Sequence, residues 1–169
     1  MSKGSPPLSL ATIAALTPAN FKTKIIDENV EEIDFDEEYD LVGITGNTYH
    51  INQAKEIANE FSKRKIPVVC GGFSVSVCPE RWRSFADVLI IGEAERVWPE
   101  FLIDFITGSY KQEYIETEKF DLDVTPTPDY SPISRSNLLK YSFGVVQTNR
   151  GCPFICEFCS VTVYDGNKS

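Results

Sequence analysis

Three short apolar runs, each closed by a turn of small residues, constrain most tightly what this chain can fold into. They are residues 40–45 (DLVGIT), 66–70 (IPVVC) and 87–91 (DVLII), and they run into Gly46, Gly71-Gly72 and Gly92. A run that is apolar without alternation is buried on both faces, as a strand inside a parallel sheet is. The segments between them have helical periodicity. Ile51, Ala54, Ile57, Ala58 and Phe61 form one apolar stripe, with Lys55, Glu56, Asn59 and Glu60 between them. Trp98, Phe101, Leu102, Phe105 and Ile106 form a second, ended by Gly108. Residues 8–16 read as a short helix, apolar almost all round, between Pro6-Pro7 and Pro18. Residues 24–27 (KIID) read as a short strand, and Tyr114-Ile115 as an edge strand.

Strands that alternate with helices imply crossover connections and a parallel sheet covered on both faces. The expectation is a doubly wound α/β domain over roughly residues 6–117. Such sheets bind ligands beyond the carboxyl ends of their strands. The turns expected there are Thr45-Gly46-Asn47-Thr48, Gly71-Gly72-Phe73-Ser74 and Gly92-Glu93-Ala94-Glu95. Their small residues let a ligand approach the backbone. Gly71-Gly72 also fits a plain turn, and Glu93 and Glu95 also fit first-turn acids favoured by a helix dipole. His50, the only histidine, opens a helix and reads as a capping residue or a neighbour of a bound cofactor.

Composition narrows the partners. The net charge is −9 and no basic stripe appears, which argues against nucleic acid and anionic membrane. The acidic residues crowd into residues 27–40, which read as a solvated loop or strand edge. No stretch approaches the ~18 apolar residues of a membrane span, and the amino terminus turns to proline rather than to a signal peptide. A cytoplasmic protein is expected. In a reducing compartment, three of the five cysteines within eight residues suggest a metal rather than disulfides. Cys70 and Cys78 read as buried or incidental thiols.

The crowded cysteines are Cys152, Cys156 and Cys159, a CxxxCxxC on a loop after an expected strand at residues 141–147 (YSFGVVQ). A proline-rich stretch, residues 118–140, links this strand to the α/β domain. Three thiolates this close can hold three corners of a [4Fe–4S] cubane and leave the fourth iron open to a small molecule. A structural zinc site would need a fourth ligand from Cys70, Cys78 or His50. Core packing and a four-cysteine electron-transfer cluster are the remaining readings.

The segment RGCPFICEFCS resembles the signature of the radical S-adenosylmethionine superfamily. The resemblance implies that the open iron binds S-adenosylmethionine and that cluster reduction cleaves it to a 5′-deoxyadenosyl radical. Phe158 matches the family aromatic that packs near the adenine. The order PPLSLATIAALTP, DLVGITGNT, IPVVCGG, VLIIGEAERVWPE and VQTNRGCP is similar to the cobalamin-binding subclass of that superfamily, over nearly the whole chain. That subclass pairs a flavodoxin-like, Rossmann-like domain with a radical barrel, and many members are methyltransferases.

The resemblance therefore implies a cobalamin-binding α/β domain at residues 1–117 lacking its first strand, a linker at 118–140, and the opening strand and cluster loop of an incomplete barrel at 141–169. A barrel of this type needs about 200 more residues. Thr45, Gly46, Asn47, Thr48, Gly71, Gly72, Gly92 and Glu93 match the positions that line the corrin and its nucleotide tail. No Asp-x-His-x-x-Gly is present to supply a histidine to cobalt, as is usual in the subclass. The reading is the amino-terminal portion of a cobalamin-dependent radical enzyme of unknown substrate. The alternatives are a non-catalytic cobalamin- or nucleotide-binding module and an inactive fragment. Anaerobic reconstitution with iron and sulfide should give a brown, oxygen-sensitive absorbance in the wild-type chain. The C152A/C156A/C159A variant should lack it, and equal iron in both would eliminate the cluster.

Overall fold

The computed structural model describes residues 4–164 of the 169-residue chain. Residues 1–3 and 165–169, at the outer ends of the first and third expected units, lie outside the described residues. The elements run α1 (Leu8–Leu16), β1 (Val42–Thr45), α2 (Ile51–Lys63), β2 (Val68–Gly71), α3 (Phe73–Val77), β3 (Val88–Ile91), α4 (Ala94–Thr107), β4 (Glu113–Ile115), α5 (Arg135–Leu138) and α6 (Val161–Tyr164). The four strands form one parallel sheet in the order β1-β2-β3-β4. The expected α/β fold is present, of flavodoxin-like type.

The strand period of two explains the layers. Val68 and Cys70 of β2 and Leu89 of β3 face one way, into a cluster with Ile51, Ala54, Ala58 and Phe61 of α2 and with Trp82 and Phe85. Val69, Val88 and Ile90 face the other way, onto Val97, Trp98, Phe101 and Leu102 of α4 and Tyr114 of β4. Each fully buried side chain of this size contributes about 1.5–3 kcal/mol, so the central strands β2 and β3 anchor both layers. α1 packs on α4 through Ile13 and Leu16, and Trp98 Nε1 donates to Thr17 Oγ1 at 3.0 Å. The second helical stripe differs from expectation at one position: Ile106 points to solvent, because α4 has turned past the core there.

Two expected strands are absent. Residues 24–27 join no ladder. Ile25 instead donates its N–H to the Pro132 carbonyl (3.2 Å) and buries its side chain with Ala14 and Ile133. Residues 141–147 form only an isolated bridge at Tyr141, and Phe143 and Val146 face solvent. Apolar composition makes a strand only where a neighbour supplies the partner carbonyls and N–H groups. Among the described residues, β1 also pairs on one edge only.

The proline-rich stretch is packed rather than free. It contains a 3-10 turn (Leu122–Val124) and α5. Asp129 donates its N–H to the Ala11 carbonyl (2.9 Å), and Ile133 is buried. The acidic run, expected to be solvated, takes part in holding it. Asn137 Nδ2 donates to Glu31 Oε2 (2.6 Å), Lys140 Nζ to the Val30 carbonyl (2.6 Å) and Tyr141 OH to Asp27 Oδ2 (2.7 Å). Burial and the Asp27 carboxylate both push the Tyr141 hydroxyl pKa up, so it stays a proton donor. No helix among the described residues is long and apolar enough to cross a membrane.

Phe101 is fully buried and touches the rings of Trp98, Phe105, Tyr110 and Tyr114. Phe101→Ala should cost about 3–5 kcal/mol in urea unfolding. Ile103→Ala, on the exposed side of the same helix, should stay within about 0.5 kcal/mol.

Candidate functional site

Parallel strands in register put their following turns at one end. Thr45 pairs with Gly71 and Gly71 with Ile90, so the turns after β1, β2 and β3 lie side by side at the carboxyl edge of the sheet. Gly72 and Gly92 have φ of +94° and +91°, a region that side chains disfavour. A Cβ on Gly72 would lie 2.5 Å from Thr45 Oγ1, and one on Gly92 would lie 2.1 Å from the Glu116 carbonyl oxygen. The protein's own packing therefore demands glycine at both positions. The same choice leaves the edge without side chains there.

Ser76, which sequence reasoning did not single out, ties two of these turns together. Its hydroxyl donates to the Gly72 carbonyl (3.0 Å) and accepts from the Gly92 N–H (2.8 Å). The turn after β1 is held by His50. Its Nδ1 accepts from the Asn47 N–H at 3.2 Å, while its own N–H donates to the Asn47 carbonyl at 2.9 Å. His50 is thus a capping residue beside the site, and Gly46 is small because His50 Cβ would lie 3.1 Å from a Cβ there. Thr45, Asn47 and Thr48 are exposed at this edge.

Glu93 is different. It and Glu95 open α4, as first-turn acids should, yet both are buried, at 4% and 7% exposure. Glu93 accepts the Phe120 N–H through Oε2 (2.5 Å) and lies 3.9 Å from Lys119 Nζ. Arg150 reaches both acids: Nη1 is 3.3 Å from Glu93 Oε2, and Nη2 donates to Glu95 Oε1 at 2.5 Å. Burial opposes the Arg150 charge. The hydrogen bond to Glu95 and the charges of Glu95 and Glu93 outweigh it and hold the guanidinium more firmly protonated. The Glu93 carboxylate is therefore taken up within the protein rather than facing an open cleft. Arg150 also escaped sequence reasoning: a single arginine beside a cysteine motif carries no signal of its partner.

The cysteine loop follows Arg150. Cys152 and Cys159 are half-buried and Cys156 is exposed, all as free thiols. Cys159 donates its N–H to the Cys156 carbonyl (3.0 Å). Among the described residues no three His, Cys, Asp or Glu side chains are gathered as a metal site, so the three thiols share a loop without yet converging. As a donor set, three unpaired thiols on one accessible loop fit an iron–sulfur cluster. Phe158 is 94% exposed. After the loop, Tyr164 returns to the sheet edge. Its hydroxyl is 3.4 Å from the Gly92 carbonyl, and its ring meets Phe73 edge-on at 5.2 Å. Cys70, by contrast, is wholly buried on β2, and burial pushes its thiol up to about 12.

Residues 4–102 match the B12 binding domain family. The chain belongs to that family. Among curated proteins it is 34% identical over 167 residues to bacteriochlorophyllide d C-8(2)-methyltransferase of Chlorobaculum tepidum, covering 95% of this chain and 37% of that one. It is 31% identical over 162 residues to hopanoid C-2 methylase of Rhodopseudomonas palustris, covering 92% and 30%. An uncharacterized methyltransferase of Synechocystis is 32% identical over 167 residues, covering 96% and 30%. The chain thus spans about a third of the length of these relatives. No solved structure matches it. The row of turns that ends β1, β2 and β3 lies at the edge where parallel sheets of this kind bind ligands.

Gly92→Ala should destabilise the domain by about 3 kcal/mol in chemical denaturation, combining strain with a backbone clash. Gly144→Ala, which meets nothing within 4 Å, should change stability by less than about 0.5 kcal/mol. With iodoacetamide at pH 8, Cys156 should be alkylated in the native protein and Cys70 should not, because only the thiolate reacts.

Proposed function

We propose that this chain is the cobalamin-holding and cluster-bearing portion of a cobalamin-dependent radical S-adenosylmethionine enzyme, and that the whole enzyme transfers methyl groups. One observation carries the reading. A sheet edge with glycine at the turns after β2 and β3, in a B12-binding domain, lies against the base of a CxxxCxxC loop through Arg150.

In this reading Thr45, Gly46, Asn47, Thr48, Gly71, Gly72 and Gly92 line the cobalamin, with Glu93 behind them holding the loop. Cys152, Cys156 and Cys159 hold three irons of a [4Fe–4S] cluster, and Phe158 stands beside S-adenosylmethionine. When bound, these groups supply the electron and the methyl carrier for the reaction. The chain's own residues position them and keep side chains away from the corrin face. Phe143, Phe154, Ile155 and Val163 are exposed around the loop, and a barrel packed there would bury them. The methyltransferase and methylase names of the relatives favour methyl transfer as the outcome. The substrate would be chosen by residues beyond this chain, and no contact with nucleic acid or membrane span is part of the reading.

The second reading is a cobalamin-binding module with no catalysis. It is favoured by the family match lying within residues 4–102. Anaerobic titration with hydroxocobalamin separates the readings. The proposed function requires a corrinoid spectral shift that survives desalting, and about three to four irons per chain after reconstitution, as a [4Fe–4S] site demands. Corrinoid without iron supports the module. Retention of neither removes both readings.

A further inference from the structure

We infer that Arg150 is a positioning residue: with Glu93 and Glu95 it forms a latch that docks the cysteine loop onto the turn after β3. Four observations converge. First, the guanidinium spans two acids of one turn, at 3.3 Å from Glu93 Oε2 and 2.5 Å from Glu95 Oε1. Second, those acids are almost fully buried and Arg150 itself is 17% exposed. This is therefore a desolvated charge cluster and not a surface pair of negligible strength. Third, Glu93 also takes the Phe120 N–H and lies near Lys119. One carboxylate thus meets the stretch between domain and loop where it departs, at residues 119–120, and where it returns, at residue 150. Fourth, Tyr164 comes back to the Gly92 carbonyl and to Phe73 beyond the last cysteine. The loop at residues 152–159 is held at both ends on one turn.

The geometric consequence follows from chain length. Only Gly151 separates Arg150 from Cys152, so their Cα atoms lie within about 7 Å of each other. The first thiol is therefore fixed close to the sheet edge whatever the rest of the loop does. The latch forms between residues of the chain itself, so it needs neither cofactor and does not depend on which cofactor fills the edge.

The test uses the full 169-residue chain, reduced and free of metal and cobalamin. Hydrogen exchange and iodoacetamide alkylation are read by peptide mass spectrometry for the wild type, R150E, R150K and the charge swap E95R/R150E. Expected for R150E is faster exchange confined to residues 117–121 and 147–164, with β2 and β3 unchanged. Cys152 and Cys159 alkylation should rise about tenfold, equivalent to about 1.4 kcal/mol of lost docking. R150K should fall between the two, because it keeps the charge and loses the fork. The charge swap should return exchange and alkylation toward wild type. Unchanged exchange in R150E would overturn the latch. So would a uniform rise through the whole sheet, or a swap no better than R150E, since either would make Arg150 a general stabiliser.

Discussion

Everything in this molecule depends on a four-stranded parallel sheet whose central strands, β2 and β3, bury both of their faces. A strand of four residues has little stability alone, and its backbone groups are satisfied only by its neighbours. β2 and β3 succeed because alternate residues are apolar in both directions: Val68 and Cys70 toward α2, Val69 and Val88 toward α4. Parallel pairing then forces all the following turns to one end. The candidate site is a by-product of that topology, since the turns meet there before any ligand is considered.

The glycines of that edge are required by the protein's own packing. Thr45 Oγ1 and the Glu116 carbonyl leave no room for a Cβ at Gly72 and Gly92. Ser76 stitches two of the turns together and so keeps the edge from opening.

The Arg150 cluster differs from the sheet in its physics. Removing three charges from water costs several kcal/mol per ion, which their mutual attraction offsets only in good geometry. Such a cluster contributes modestly to net stability and strongly to which arrangement forms, because any other docking leaves a buried carboxylate unpaired. That is a fitting device where a loop must sit in one place relative to a sheet edge.

By itself the sequence determined the strands β1 to β4, the helices α1, α2 and α4, the row of turns and the cysteine motif. Each is written in local periodicity or spacing: apolar runs at residues 40–45, 66–70 and 87–91, and the stripe Ile51, Ala54, Ala58, Phe61. Only the tertiary structure decided the rest. Residues 24–27 and 141–147 have strand-like composition but find no ladder, and a ladder is a property of neighbours. The proline-rich stretch packs because Ile133 and Asn137, with Tyr141 just after it, meet Ile25, Glu31 and Asp27 from over a hundred residues away. Glu93 and Glu95 looked like ordinary first-turn acids, and Arg150 like a flank of the motif. Their pairing joins positions 55 or more residues apart, and long-range electrostatic partners leave no periodic trace in a single chain.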